Sequence, residues 1–135
     1  MAPSRFTLDE AQRMLPRLTS LITEMRELKL EHDRFQAQVA ELAQTARSNG
    51  HVIEDELKGA LAGMENAATR INGLIKQVQA LGCELKDIDQ GLIDFRSTMN
   101  GHEVYLCWKL GEERVSWWHE LGVGFAGRQP LEERE

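Results

Sequence analysis

The sequence predicts an α+β protein: a long antiparallel α-helical hairpin over residues 8–82, then a small three-stranded antiparallel β module with a glycine-rich C-terminal loop over residues 83–135. Apolar residues recur at steps of three and four in two successive stretches, and the period changes to two after Gly82. Asn100-Gly101 then separates two runs of β-formers. The 135 residues suit a single domain that buries roughly two-thirds of the surface of its unfolded chain.

The first helix starts at Leu8, because Thr7-Leu8-Asp9-Glu10 is a capping box in which Thr7 and Glu10 satisfy each other's amides. Pro16 cannot donate to the carbonyl four residues back, so the segment up to Leu15 is expected to be a short separate helix or the far side of a kink. From Leu18 the seam reads Leu21, Met25, Leu28, His32, Phe35, Val39, Leu42 and Ala46, the heptad spacing of a coiled coil. A polar His32 inside that seam would set helix register or oligomer state. Ser48-Asn49-Gly50 is a turn signal, and its brevity predicts immediate reversal.

The second seam, Leu57, Ala60, Met64, Ala67, Ile71, Leu74, Val78 and Leu81, is widened by Leu61, Ala68 and Ile75. Gly59, Gly63 and Gly73 weaken a helix by about 1 kcal/mol each, which makes sense where backbones approach closely. Gly82 is placed to close the helix in the left-handed conformation.

Three strands follow, at Gly91–Phe95, Glu103–Leu110 and Val115–Leu121. A type I′ turn at Asn100-Gly101 pairs Met99 with His102, and hence Phe95 with Leu106, Asp94 with Cys107 and Ile93 with Trp108. Pairing Leu110 with Val115 around the next turn places Ile93, Phe95, Val104, Leu106, Trp108, Trp117 and His119 on the core face. Asp94, Tyr105, Cys107, Trp118 and Glu120 then share the amphipathic face.

Charge and hydropathy exclude several function classes. With 22 acidic and 16 basic side chains the net charge is -6, which opposes counterion-driven binding, so no nucleic-acid partner is expected. No apolar run approaches the roughly 20 residues that cross a bilayer, and the first ten residues lack a secretory core. A cytoplasmic protein without membrane contact is the expectation. Two cysteines, Cys83 and Cys107, are too few for a disulfide framework and read as buried thiols.

Gly122-Val123-Gly124-Phe125-Ala126-Gly127 matches the G-x-G-x-x-G pattern, yet no helix, second strand or acidic residue about 20 positions on follows it. No nucleotide cofactor is therefore expected. The loop is read as packing over the sheet edge, although its amides beside Arg128 could hold an anion. His119 and Glu120, consecutive in a strand, point to opposite faces, so the register leaves an Asp94-Cys107-Glu120 trio with no imidazole. No metal is expected there. No nucleophile elbow, P-loop or His-Glu-x-x-His occurs, and no catalytic residue is assigned.

Three long blocks rich in rare residues, FTLDEAQRMLP, GCELKDIDQGLIDF and VYLCWKLGEERVSWWHELGVGFAGRQPL, span nearly the whole chain. Together they resemble a bacterial family catalogued as a domain of unknown function, number twenty-two hundred and three. The resemblance implies a coherent fold and a bacterial origin, and it implies no activity.

Two functions remain. The leading expectation is a non-enzymatic interaction protein, a homodimer through its helical hairpin or the holder of another protein partner, because self-association would cover the flank at Leu61, Ala68 and Ile75. The alternative is a small-ligand- or metal-binding protein, an enzyme included, with a site around Asp94, His119, Glu120 and Arg128.

Overall fold

The computed structural model describes residues 5–49 and 54–131. Helices α1 (Leu8–Asn49) and α2 (Glu54–Ala80) precede strands β1 (Glu84–Asp87), β2 (Leu92–Met99), β3 (His102–Lys109), β4 (Trp117–Glu120) and β5 (Gln129–Pro130), with a 3₁₀ turn at Phe125–Gly127 before β5. The class is α+β as expected, but the sheet has five strands, not three, in the order β1-β2-β3-β4-β5 and antiparallel throughout. The chain divides into two compact units, Thr23–Leu74 and the combination of Met1–Ile22 with Ile75–Glu135. No helix among the described residues is long and apolar enough to cross a membrane.

The capping box forms as predicted: Thr7 N–H donates to Glu10 Oε1 at 2.8 Å, and Glu10 N–H donates to Thr7 Oγ1 at 3.1 Å. Of the two alternatives at Pro16, the separate helix does not form, because α1 runs through that residue. The ring of Pro16 lies on the exposed side, while Ala11, Leu15, Leu18 and Ile22 are buried. Burial of that stripe outweighs one missing backbone hydrogen bond. The predicted turn at Ser48-Asn49-Gly50 falls at the end of α1, with Gly50 outside the described residues. Gly82 closes α2 at φ 96, donating its N–H to the Gln79 carbonyl at 2.9 Å.

Within Thr23–Leu74 the helices run antiparallel, with Glu24 3.7 Å from Arg70 and Phe35 against Gly63. Met25, Leu28, Ala60, Ala67 and Leu74 are buried between them. His32 is half-buried, its Nδ1 3.4 Å from Asp33 Oδ1. Of the glycines expected at close approaches, only Gly63 is at one: a Cβ there would lie 2.6 Å from the Phe35 ring, whereas Gly59 and Gly73 face open space. Gly73→Ala is therefore expected to stabilise by about 1 kcal/mol through helix propensity alone. Gly63→Ala should fail to gain this and lose stability as the Phe35 ring is displaced; urea midpoints of the two variants check the contrast.

In the other unit the N-terminal part of α1 and the chain before it pack on one face of the sheet. Phe6 stacks edge-on against Phe95 with centroids 5.3 Å apart, its N–H donates to the Arg96 carbonyl, and its own carbonyl accepts from Ser97 Oγ at 2.7 Å. These contacts cover the stretch of β2 that extends past the short β1. Ile93, Phe95, Val104, Leu106 and Trp108 form the core on this face.

The β2–β3 hairpin has the predicted register, including Asp94 opposite Cys107, and Asn100 and Gly101 take φ 52 and 85. The next pairing corrects the sequence reading by one residue: Cys107 lies opposite Trp117, Leu106 opposite Trp118 and Tyr105 opposite His119. Glu112 N–H donates to the Lys109 carbonyl, Glu112 Oε1 accepts from Lys109 N–H, and the Trp108 indole donates to the Glu112 carbonyl at 2.9 Å. Val115 leaves the ladder and donates instead to Gln12 Oε1 at 2.8 Å, so β4 begins only at Trp117. A slip of one moves every side chain of a strand to the other face. His119 and Trp117 therefore belong with Asp94, and Glu120 with the opposite face.

Candidate functional site

The face away from the helices carries Asp94 from β2, Tyr105 and Cys107 from β3, and His119 from β4. Strand alternation brings them together: Asp94 and Cys107 are cross-strand partners, as are Tyr105 and His119. All four are buried, His119 to 2% and Asp94 to 3% residual exposure. Leu121, Val123, Gly124 and Phe125 line a cavity of about 160 Å³ above them, completed by Lys86 and Leu92. The glycine-rich loop thus packs over the sheet, and its third glycine, Gly127, leaves room for Val123, which a Cβ there would meet at 2.1 Å.

His119 Nε2 lies 3.0 Å from Asp94 Oδ2, and His119 Nδ1 lies 2.8 Å from the Glu120 carbonyl oxygen. A carbonyl only accepts, so Nδ1 carries a proton. One further proton is then shared between Nε2 and the Asp94 carboxyl, and the buried pair is neutral as a whole. Burial pushes the Asp94 carboxyl above the usual carboxylate range, with His119 opposing. Asp94 Oδ1 is buried with no partner at good hydrogen-bond geometry, and the nearby Cys107 thiol gives the carboxyl a weaker hydrogen bond.

The surrounding charges neutralise one another. Lys86 Nζ pairs with Glu84 at 2.9 Å, and the Tyr105 hydroxyl donates to the same carboxylate. Burial raises Glu84, but the hydrogen bonds from Lys86 and Tyr105 outweigh it and hold the carboxyl low. Arg128 donates to Glu112 Oε2 at 2.6 Å and lies over Trp117 and Phe125, 4.4 and 4.3 Å from the ring centroids. Its Nη1 also approaches Cys107 Sγ at 4.0 Å.

Of the residues predicted for a ligand site, Asp94 and His119 meet, and Arg128 stands beside them with its guanidinium engaged by Glu112. Glu120 does not join them: it is exposed and pairs opposite Val104, so the expected Asp94-Cys107-Glu120 trio is replaced by Asp94-Cys107-His119. Lys86 is absent from the predicted site because the sequence reading has no strand at β1, whereas Leu92 lies in the predicted first strand, on the face of Asp94, without having been assigned to a site. The alternation Glu84-Leu85-Lys86 beside a turn was the available signal.

Burial pushes both Cys83 and Cys107 up to about 11, so as free thiols neither is a nucleophile at neutral pH. Cys83, which donates to the Val78 carbonyl, lies apart from the cavity lining. Its folded value exceeds the unfolded one, so its contribution is fully present below about pH 9 and is lost as pH rises towards 11. Cys83→Ala is expected to remove that part of the alkaline loss, which urea unfolding at pH 8 and pH 11 measures.

The fold and site define an α+β protein with a helical hairpin, a five-stranded meander, and a covered Asp-His-Cys cluster on the sheet face away from the helices. The chain belongs to the family described as uncharacterized conserved protein (DUF2203), whose profile matches residues 4–131. No curated protein and no solved structure is significantly similar to it.

Proposed function

We propose that the protein binds a small molecule in the cavity between the sheet and the 121–125 segment. The observation that supports this most is Asp94 Oδ1, a buried acceptor without a partner on the wall of a cavity. Such an atom costs about 1–3 kcal/mol, and a ligand donor would satisfy it. The remaining wall is mostly apolar, through Leu92, Leu121, Val123 and Phe125. Apolar walls with a few convergent polar groups, here Asp94 and His119 with Tyr105, Cys107 and Lys86 beside them, are the usual composition of a ligand site. The volume is close to that of a cavity of roughly 150 Å³ that accepts benzene. The expected ligand is therefore small, with an apolar body and one hydrogen-bond donor. A nuclear magnetic resonance screen with aniline, benzylamine and imidazole should shift resonances of Leu92, Val123 and Phe125. Val123→Trp, which fills the cavity, should abolish the shifts with the fold retained; shifts that survive it, or none in the parent, overturn the reading.

A second reading, a two-fold dimer through the helical hairpin, is favoured by Leu30 and Leu61, which are 61% and 47% exposed within Thr23–Leu74. Light scattering should give twice the 15.3 kDa of the chain at micromolar concentration. A mass of one chain overturns this reading.

A further inference from the structure

We propose that Asp94, Cys107 and His119 bind one zinc-class divalent ion at the floor of the cavity, with a fourth coordination position open towards Leu92, Val123 and Phe125. The inference rests on the ligand-site reading only for that open position. One donor atom from each of the three residues lies within 4.8 Å of the others. Thiolate, imidazole and carboxylate are all zinc ligands, and three protein ligands with one free position is the arrangement of catalytic rather than structural zinc. Tetrahedral donors around such an ion stand roughly 3.3–3.8 Å apart. The Nε2–Oδ2 distance of 3.0 Å therefore has only to open slightly.

Two observations beyond the donor set point the same way. A metal-binding histidine characteristically donates its other ring nitrogen to a carbonyl or carboxylate, which fixes the ring and directs the free lone pair to the ion. His119 Nδ1 already makes that bond to the Glu120 carbonyl at 2.8 Å, leaving Nε2 as the donor. Asp94 Oδ1, nine-tenths buried and unpartnered, is a carboxylate oxygen that a hydrogen-bonded pair alone does not use.

Charge balance agrees. A buried ion is tolerated where its charge is matched locally. Lys86–Glu84 and Arg128–Glu112 are closed pairs at 2.9 and 2.6 Å, so the cluster has to be neutral by itself. Binding displaces the proton shared by Asp94 and His119 and the thiol proton of Cys107. Two protons leave for each divalent ion that enters, and carboxylate, thiolate, neutral imidazole and ion sum to zero.

The test uses the full chain, stripped with a chelator and dialysed against Zn²⁺ or Co²⁺ alone. One ion per chain is expected. The cobalt form should show a thiolate-to-cobalt charge-transfer band in the near ultraviolet, and Cys83→Ala should keep it. Cys107→Ser should abolish the band, and Asp94→Asn should weaken zinc binding by about a hundredfold or more. Val123→Trp should keep one zinc per chain while ending small-molecule binding, so the failure of either reading is visible without the other. A parent chain without the charge-transfer band overturns the proposal even if the serine variant does not fold. Zinc stoichiometry unchanged by Cys107→Ser in a folded variant also overturns it.

Discussion

His119→Ala is expected to destabilise the metal-free protein by about 3–5 kcal/mol at pH 7, because it leaves the buried Asp94 carboxyl without its main partner, with only the Cys107 thiol and the charge of Lys86 to favour it. The carboxyl is already held above its ordinary range by burial, with His119 as the largest opposing influence. Removing the imidazole raises it further. A carboxyl raised in the folded state contributes no penalty below its unfolded value, and its penalty grows as pH rises towards the folded value. Part of the deficit should therefore vanish near pH 4. Asp94→Asn is expected to cost little at pH 7, since the amide can donate to His119 Nε2 while Nδ1 stays on the Glu120 carbonyl. The double variant Asp94→Asn/His119→Ala should then lose less than His119→Ala alone. Urea unfolding of the set at pH 4 and pH 7 measures the coupling; a loss below about 1 kcal/mol for His119→Ala at pH 7 would contradict the buried pair.

Trp108→Ala should cost about 3–5 kcal/mol, by loss of a large core side chain that is 1% exposed. Trp108→Phe separates two roles. The phenyl ring keeps most of the packing beside Ile93 and Leu106, but it cannot donate to the Glu112 carbonyl. A cost of about 1 kcal/mol is expected, that of a part-buried hydrogen bond with its acceptor left behind. The same bond anchors the connection that sets the β4 register. The phenylalanine variant should therefore show faster amide exchange at Trp117–Glu120 than the parent. A Trp108→Phe variant as stable as the parent would mean that the indole nitrogen holds nothing.

The parts of this architecture legible in sequence are those encoded by short-range chemistry. Thr7 and Glu10 mark a helix start without reference to the rest of the molecule, and Asn100-Gly101 sets the register of eight cross-strand pairs, which is why Asp94 was placed opposite Cys107. Gly111 to Arg114 carry no such code. Their conformation depends on the Trp108 indole, the Glu112 side chain and Gln12, the last more than a hundred residues away in sequence. A shift of one residue there exchanges His119 for Glu120 on the face of Asp94, so the Asp94-Cys107-Glu120 trio lacks an imidazole although His119 stands among the candidate site residues. Strand β5, of two residues, is too short for an alternating pattern to register, and β1 offers only the three-residue alternation Glu84-Leu85-Lys86. The continuity of α1 through Pro16 was likewise set by packing that local propensity does not see.

The consecutive strand order β1-β2-β3-β4-β5 has a kinetic consequence. Each strand pairs with its neighbour in the chain, so the sheet has low contact order, and loop-closure entropy delays little of its formation. Asp94, Cys107 and His119 come from three adjacent strands of this meander, within a span of 26 residues from first to last. The β2–β3 turn can close on the microsecond scale typical of hairpins. The cluster can thus assemble from one local segment of a polypeptide as it forms, before the distant N-terminal strip around Phe6 has reached the edge of β2.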